Sequence, residues 1–162
     1  MCSSDLKPGL VFKDLTPVVG NADLFREAVG LFADRHRGAA IDRVAAIEAR
    51  GFLFGGALAT ALGVGLIPVR KKGKLPWRVR AATYDLEYGT ATIEVHEDAI
   101  APGERILLVD DLLATGGTAA AAAGLIESLG GVIVEIDFLV ELAFLKGRER
   151  LGGRPAFAPV VF

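Results

Sequence analysis

Two acids and a glycine-rich run follow one apolar stretch in the second half of the chain. Residues 106–109 are apolar, Asp110 and Asp111 come next, and 115–118 reads Thr-Gly-Gly-Thr ahead of an alanine-rich stretch. Glycines allow backbone N–H groups to turn toward one point, and the N-terminus of a following helix adds partial positive charge. The run therefore predicts a cradle for a phosphate dianion. It contains no lysine, so it differs from the phosphate-binding loop of nucleotide hydrolases.

The two acids beside this cradle can accept hydrogen bonds from vicinal hydroxyl groups, which suits a ribose 5-phosphate. Successive residues of a strand point to opposite faces of the sheet. If the strand continues through Asp110 and Asp111, the two carboxylates are therefore not expected to face one ligand. The alternative is that one acid caps the loop or the helix and binds nothing.

A second segment, residues 70–80, combines six cations with no acid. The cations are Arg70, Lys71, Lys72, Lys74, Arg78 and Arg80. Trp77 lies within the segment, and Tyr84 and Tyr88 follow it. A solvated basic loop and a nucleic-acid patch are both alternatives. A net charge of −2 and a pI of about 5.7 favour a small polyanion instead, and Gly73 and Pro76 predict a mobile flap that closes over it.

A third segment, Glu48-Ala49-Arg50-Gly51, is a charged turn at the end of an apolar run. The guanidinium of Arg50 offers a two-pronged donor for phosphate. The alternative is a surface salt bridge, which would contribute only ~0–1 kcal/mol. Its predicted position, at the same sheet edge as the other two segments, favours a binding role.

The elements that must position these segments alternate between strand and helix. Strands are predicted at 44–47, 66–69, 105–109 and 132–140, a last strand at 159–162, helices at 22–35, 52–62 and 119–129, and hairpin strands at 83–86 and 91–95. This order predicts an α/β fold: a mostly parallel central sheet flanked by helices, with an inserted antiparallel hairpin. The chain is interpreted as a single domain, 1–162, with a flexible flap at 70–95. Ligands of such sheets bind at the carboxyl ends of the strands, where all three segments fall.

Composition excludes several other classes of protein. The chain has 162 residues, of which 52% are hydrophobic and 23% charged, so it is not disordered. Cys2, His36 and His96 are too few for a Cys/His structural zinc site, and no Gly-x-Ser-x-Gly elbow is present. The acidic balance argues against nucleic acid as the main partner. Residues 51–69 carry no charge, but their glycines and Pro68 favour a helix, a turn and a strand over a membrane span. His36 is interpreted as part of a solvated helix end.

Taken together, the three segments resemble those of the type I phosphoribosyltransferases, in particular the adenine branch of that family. The resemblance rests on the acid-acid-x-x-Ala-Thr-Gly-Gly-Thr run, Ala-Arg-Gly-Phe at 49–52, Arg-Lys-x-Gly-Lys-Leu-Pro at 70–76, Leu-Glu-Tyr-Gly at 86–89, Pro-Gly-x-Val-Phe-Lys-Asp at 8–14 and Val-Glu-Leu at 140–142. It extends from about residue 7 to residue 162, whereas 1–6 do not match.

The resemblance implies a reaction in which adenine and 5-phosphoribosyl 1-diphosphate give AMP and pyrophosphate, with Mg²⁺ carried by the diphosphate rather than by protein ligands. The implied phosphate and ribose ligands are Ala114, Thr115, Gly116, Gly117 and Thr118 for the 5-phosphate, Asp110 and Asp111 for the ribose, and Arg50, Arg70, Lys71 and Lys74 for the pyrophosphate. A cis peptide bond between Glu48 and Ala49 is also implied.

Further residues are implied around the base. Val11 would read adenine through its backbone, Phe12 would lie against the base beside Lys13, and Leu142 would form a far wall. Lys13 stands where many relatives have arginine. Glu87 and Tyr88 would sit on the flap, with Glu87 as the acid–base residue. A cytoplasmic homodimer is also implied. Two alternatives stay open, a phosphoribosyltransferase for another base, such as a 6-oxopurine, and a non-catalytic regulator that binds the same ligand.

Overall fold

The computed structural model describes residues 14–85 and 89–162. The predicted base-contacting residues Val11, Phe12 and Lys13 and the predicted flap residues Glu87 and Tyr88 lie outside the described residues. The other predicted site residues are all within them.

The predicted α/β architecture is confirmed. Four strands form the parallel centre of the sheet: β1 (Arg43–Ile47), β2 (Gly65–Lys71), β5 (Arg105–Leu113) and β6 (Val132–Glu141). Two form the inserted antiparallel hairpin, β3 (Val79–Asp85) and β4 (Thr90–His96), and two short strands pair with β6, β7 (Ala156–Phe157) and β8 (Val160–Val161). The strand order is β3-β4-β2-β1-β5-β6-β7, with β8 also beside β6. The parallel strands β2, β1 and β5 are therefore neighbours, and their carboxyl ends share one edge.

Helices cover both faces of this sheet. They are α1 (Thr16–Gly20), α2 (Ala22–Arg35), α3 (Gly51–Leu62) and α4 (Gly117–Ser128), followed by two 3₁₀ turns at Ala143–Leu145 and Gly147–Leu151. The Asn21 side chain accepts hydrogen bonds from the N–H groups of Asp23 and Leu24, both at 3.0 Å. This cap satisfies two donors that a helix start leaves without an intrahelical partner, and it explains why α2 begins where predicted.

Each parallel strand contributes alternate residues to two hydrophobic cores, one on each face of the sheet. In β5, Ile106 and Leu108 belong to the core under α4, whereas Leu107 and Val109 belong to the core under α2 and α3. A sheet that is buried on both faces needs apolar side chains at every position, which is why these strands read as continuous apolar runs.

Several strand predictions differ from the structure. The first hairpin strand, predicted at 83–86, is β3 and begins four residues earlier, at Val79. The strand β5 extends four residues beyond its predicted end, through both acids to Leu113, because β6 continues beside it and pairs Leu112 with Val140. The strand β7 was not predicted, since two residues carry no periodicity and only their pairing with β6 makes them a strand. The predicted last strand is reduced to Val160–Val161.

The uncharged stretch 51–69 folds as α3, a turn and the first part of β2. Gly63 ends the helix with a φ of +70°, a left-handed conformation that glycine adopts at little cost. Within 14–85 and 89–162, no helix is both long enough and apolar enough to cross a bilayer.

The interpretation of His36 as a solvated helix end is wrong. The side chain is 4% exposed, and its Nε2 lies 2.7 Å from Oδ2 of Asp137, a residue of β6 with no exposed surface. Beside this pair, the Arg35 guanidinium donates two hydrogen bonds to Glu135, at 2.6 and 2.7 Å. The sequence shows basic residues around His36 but not the two acids that lie about 100 positions away, so only tertiary packing reveals the network.

Replacing His36 with leucine is expected to destabilise the fold by roughly 3–5 kcal/mol at pH 7, because it leaves the Asp137 carboxylate buried without its partner. Burial already raises the pKa of Asp137, and the hydrogen bond to His36 lowers it again in part. Removing His36 therefore raises that pKa further. A carboxyl whose folded pKa is raised stabilises the fold only while it is protonated, so the deficit should shrink as the pH falls from 7 to 5. Urea unfolding of the parent and the variant at pH 7 and pH 5 measures this difference in the free energy of unfolding.

The matched control for this variant is Arg37→Gln, one residue further along. Arg37 forms an ion pair with Asp34, but the two side chains are 80% and 70% exposed. An exposed pair of this kind contributes at most about 1 kcal/mol, and its loss should be small at both pH values. Equal losses in the two variants would contradict the burial argument.

Candidate active site

The three predicted segments meet at one edge of the sheet. They follow the carboxyl ends of the neighbouring parallel strands β1, β2 and β5. A cavity of about 460 Å³ lies between them, and its lining includes Arg50, Lys71, Asp110, Asp111 and Thr118. The strand order thus brings together residues that are up to 68 positions apart in the sequence.

The glycine-rich run forms a tight loop between β5 and α4. Gly116 has a φ of +79° and caps the helix, which begins at Gly117. A small cavity of about 80 Å³ is lined by residues 112–119 together with Asp110 and Phe138. The first N–H groups of a helix have no intrahelical acceptor and carry the positive end of the helix dipole. The loop therefore has the geometry of an anion cradle.

A second glycine supports this loop from outside. A Cβ atom at Gly116 would lie 2.3 Å from the carbonyl oxygen of Gly147, and a Cβ atom at Gly147 would lie 2.3 Å from the carbonyl oxygen of Ala114. Both contacts are far shorter than real Cβ atoms allow, so the two backbones pack together only because neither residue has a side chain. Sequence reasoning missed Gly147, because the contact joins segments about 30 residues apart and leaves no local pattern.

The strand β5 runs through both acids, yet Asp110 and Asp111 line the same cavity. The expectation that strand alternation would separate them is therefore not met. Asp110 Oδ1 accepts a hydrogen bond from the Asp111 N–H at 2.9 Å, and it would lie 3.0 Å from a Cβ at Gly51. The Asp110 carboxylate therefore lies against the start of α3. Burial and then the charge of Asp111 raise the pKa of Asp110 well above its usual range.

The guanidinium of Arg50 donates a hydrogen bond to the Asp111 carboxylate, which is buried. The salt-bridge alternative required a surface acid as the partner of Arg50. The partner is instead Asp111, a buried acid of the site. The peptide bond between Glu48 and Ala49 is cis, as the resemblance implied.

The predicted pyrophosphate cations fall into two groups. Arg50 and Lys71 line the cavity, whereas Arg70 and Lys74 do not. Arg70 donates through Nε to Glu48 Oε2 at 3.1 Å and through Nη1 to the carbonyl oxygen of Lys74 at 2.9 Å. Glu48 was not predicted as a site residue. Its carboxylate also accepts the Lys71 N–H at 3.0 Å, which connects the turn after β1 to the end of β2.

The charge state of Glu48 follows from these contacts. Burial raises the pKa of its carboxyl, but the hydrogen bonds from the Lys71 backbone and the Arg70 side chain outweigh burial and lower that pKa below its usual range. Glu48 is therefore ionised and orients Arg70. The sequence does not reveal that Glu48 lies beside a cation, because Glu48 and Arg70 are 22 positions apart.

The remainder of the basic segment is tied to the hairpin. The Gly73 N–H donates to the buried Glu94 carboxylate at 2.9 Å, and His96 Nε2 lies 2.7 Å from the carbonyl oxygen of Pro76. The cations Lys72, Lys74, Arg78 and Arg80 are exposed. The six cations therefore do not converge on one point. The predicted mobility of the flap stays a prediction.

The hairpin itself reaches the phosphate loop. Thr118 Oγ1 donates a hydrogen bond to the Tyr84 hydroxyl at 3.0 Å, and Tyr84 also lines the larger cavity. Sequence reasoning noted Tyr84 only as an aromatic neighbour of the basic segment.

Leu142, the predicted far wall of the base pocket, is 2% exposed and follows β6. Its N–H donates to the carbonyl oxygen of Leu113 at 2.9 Å, and its side chain belongs to the same core as Leu15 and Val140. Leu15 and Val140 line an apolar cavity of about 290 Å³. The buried Leu142 side chain therefore packs in the core beside residues that line this apolar cavity.

Comparison with known proteins agrees with this geometry. Residues 20–150 match the phosphoribosyl transferase domain family, the class of protein that the fold and the loop define. The adenine phosphoribosyltransferase of Roseiflexus sp. (strain RS-1) is 52% identical over 155 residues, which cover 96% of this chain and 90% of the relative. The chain belongs to the adenine phosphoribosyltransferase family.

Solved structures show the same similarity. The crystal structure of adenine phosphoribosyltransferase from Thermoanaerobacter pseudethanolicus is 51% identical, with a TM-score of 0.93 over 96% of this chain and 91% of that one. The Saccharomyces cerevisiae enzyme, complexed with an imino-altritol bisphosphate and adenine, is 45% identical, with a TM-score of 0.89 over 93% of this chain and 87% of that one.

Proposed function

We propose that this chain transfers the 5-phosphoribosyl group from 5-phosphoribosyl 1-diphosphate to adenine, giving AMP and pyrophosphate in purine salvage. The observation that carries the proposal is the convergence of the 114–118 loop, the two acids and Arg50 at one sheet edge. The identity to adenine phosphoribosyltransferases supports adenine as the base.

The phosphate and ribose roles are assigned as the resemblance implies. Residues 114–118 bind the 5-phosphate, Asp110 and Asp111 bind the ribose hydroxyls, and Arg50, Arg70, Lys71 and Lys74 bind the pyrophosphate. The loop geometry supports the first role, and the shared cavity supports the second. Since Arg50 is held by Asp111 and Arg70 by Glu48, the pyrophosphate would draw these guanidinium groups from their carboxylate partners or share them.

The base roles rest on the resemblance. Val11, Phe12, Lys13 and Leu142 contact adenine, and Glu87 and Tyr88 lie on the flap. The adenine bound in the yeast structure supports a base pocket in a chain of this fold. Adenine presents an exocyclic amine that requires an acceptor, which the Val11 carbonyl can supply, whereas a 6-oxopurine requires a donor there.

Mg²⁺ is assigned to the diphosphate of the substrate. Within the part of the chain that the structure describes, His36, Glu135 and Asp137 alone bring three potential metal ligands close together, and none of them lines the cavity. When bound, Mg²⁺ would neutralise charge on the leaving diphosphate.

The residues of the chain then act on a reaction that separates charge. Positive charge grows on the ribose as the anomeric bond breaks, and the two carboxyl groups assigned to the ribose, those of Asp110 and Asp111, would stabilise it. Negative charge grows on the leaving diphosphate, beside Arg50 and Lys71. The hairpin excludes water, which would otherwise hydrolyse the activated ribose. Glu87 exchanges a proton with the base.

We further propose that the chain works as a single domain and as a homodimer in the cytoplasm, as the resemblance implies. Phe144 and Phe162, which are 61% and 52% exposed near the end of the chain, are consistent with a covered apolar surface. Light scattering of the purified protein measures the oligomeric state.

The function is tested by incubating the purified protein with 5-phosphoribosyl 1-diphosphate, Mg²⁺ and each of adenine, hypoxanthine and guanine. AMP and pyrophosphate are expected with adenine, with a kcat/KM at least about tenfold higher than with either 6-oxopurine, because a mismatched exocyclic group leaves buried polar atoms unpaired. Preference for a 6-oxopurine would assign another base. Ligand binding without any product would assign a regulator.

A further inference from the structure

We propose that the Tyr84 hydroxyl is a positioning group that holds the β3–β4 hairpin against the phosphate loop, so that the hairpin and the loop bind 5-phosphoribosyl 1-diphosphate as one unit. The inference rests on the proposed function and assigns the hairpin's anchoring point. No local sequence pattern predicts the contact between Tyr84 and Thr118 on which it depends.

The contact is close and specific. Tyr84 lies near the end of β3, and its hydroxyl is 3.0 Å from Thr118 Oγ1 in the first turn of α4. The Tyr84 ring is partly buried against the core under α4. A Cβ atom at Gly117 would lie 3.6 Å from both the Tyr84 ring and the Asp85 carbonyl oxygen. The hairpin thus rests directly on the loop that is assigned to the 5-phosphate.

The hydrogen-bond capacity of the two hydroxyls explains why Tyr84 matters once phosphate binds. A threonine hydroxyl has one proton and two acceptor lone pairs. Here Thr118 donates its proton to Tyr84. A bound phosphate accepts that proton instead, and Tyr84 can then donate its own proton to Thr118 Oγ1. In the resulting series of hydrogen bonds, from Tyr84 through Thr118 to the phosphate, each hydrogen bond strengthens the other. This hydrogen bond persists in both states only if residue 84 carries a hydroxyl.

The position of Tyr84 in the chain gives this contact a consequence for catalysis. Tyr84 precedes Glu87, the proposed acid–base residue, by three positions. The anchor therefore holds the end of β3 from which the chain continues to Glu87. The anchor is a positioning contact, because Tyr84 acts through Thr118 and the hairpin rather than on the reacting atoms.

The test uses Tyr84→Phe, which keeps the ring and removes the hydroxyl. Binding of 5-phosphoribosyl 1-diphosphate is measured by titration calorimetry with Mg²⁺ present, so that the result does not depend on turnover. The Kd is expected to rise about three- to tenfold, because without this hydrogen bond the hairpin end is detached from the loop in part of the free protein, and only the attached form binds the ligand as one unit. AMP formation by the parent protein is assayed separately, and its failure would refute the proposed function without deciding the anchor.

Two comparisons separate anchoring from a general effect on the hairpin. Thr83→Val removes the 2.9 Å contact between the Thr83 and Thr92 hydroxyls of the same hairpin, away from the loop, and should change the Kd less than twofold. Thr118→Val should raise the Kd, and adding Tyr84→Phe to it should cause no further loss, because one hydrogen bond is removed only once.

An unchanged Kd in Tyr84→Phe would overturn the proposal. So would an equal loss in Thr83→Val, or full additivity of Tyr84→Phe and Thr118→Val. Circular dichroism and thermal midpoints of all variants confirm that each is folded when it is compared.

Discussion

Gly116→Ala is expected to weaken binding of 5-phosphoribosyl 1-diphosphate at least 100-fold, which corresponds to about 2.7 kcal/mol. Two effects add at this position. Gly116 has a φ of +79°, a conformation that alanine adopts only with strain. The new Cβ would also lie 2.3 Å from the carbonyl oxygen of Gly147, so backbone must move on one side or the other. Calorimetric titration measures the loss of affinity.

The matched control is Gly117→Ala, one residue further along. Gly117 begins α4 with an ordinary φ, and the nearest atom to its Cβ position is the Arg150 Nη1, 3.5 Å away on a flexible side chain. Its Kd should rise less than about fivefold. The motif alone suggests that the two glycines are equally required, whereas the structure places the requirement at Gly116. A Gly116→Ala variant with less than tenfold loss would show that the loop is only a structural turn.

Glu87→Gln is expected to lower kcat by about 10²- to 10⁴-fold with little change in the binding of 5-phosphoribosyl 1-diphosphate. Glutamine keeps the size of the side chain and removes its ability to take up a proton. Glu87 follows Asp85 by two residues, and the carbonyl oxygen of Asp85 would lie 3.6 Å from a Cβ at Gly117. The last described residue before Glu87, Asp85, therefore lies beside the phosphate loop.

Asp85→Asn provides the control for this variant, since it removes a carboxylate from the same hairpin at an exposed position. Its kcat should remain within about threefold of the parent. Rates are compared under conditions where the chemical step limits turnover. If Glu87→Gln retains at least about a third of the parental kcat while Glu87→Ala does not, Glu87 orients the flap through hydrogen bonds and is not the acid–base residue.

The elements with strong periodicity could be predicted from sequence. The apolar spacing of 22–35, with Asn21 ahead of it, predicted α2 with its observed bounds. The continuous apolar runs predicted β1, β2, β5 and β6, because strands buried on both faces are apolar throughout. Ends that depend on a neighbour were less accurate: β5 continues to Leu113 because β6 lies beside it, and β7 exists only through that pairing.

The features of the site likewise divide into those that the sequence predicts and those that depend on packing. The loop at 114–118 could be predicted, because glycines and a following helix produce an anion cradle from local backbone geometry alone. The carboxyl edge as its location followed from strand–helix alternation. Asp110 and Asp111 were identified by type, but the cavity they share depends on how the Asp110 carboxylate lies against the start of α3.

By itself, then, the sequence determined the elements, the phosphate loop and the family, since each of these depends on residues that are close together along the chain. Only the tertiary structure decided which distant groups meet. It paired Arg50 with Asp111, buried His36 against Asp137, and set Tyr84 on Thr118. It also packed Gly147 against the phosphate loop. Each of these contacts joins two elements whose separation is set by strand order and by the packing of helices on the sheet. Strand order and helix packing leave no periodic pattern in the sequence at the residues that touch.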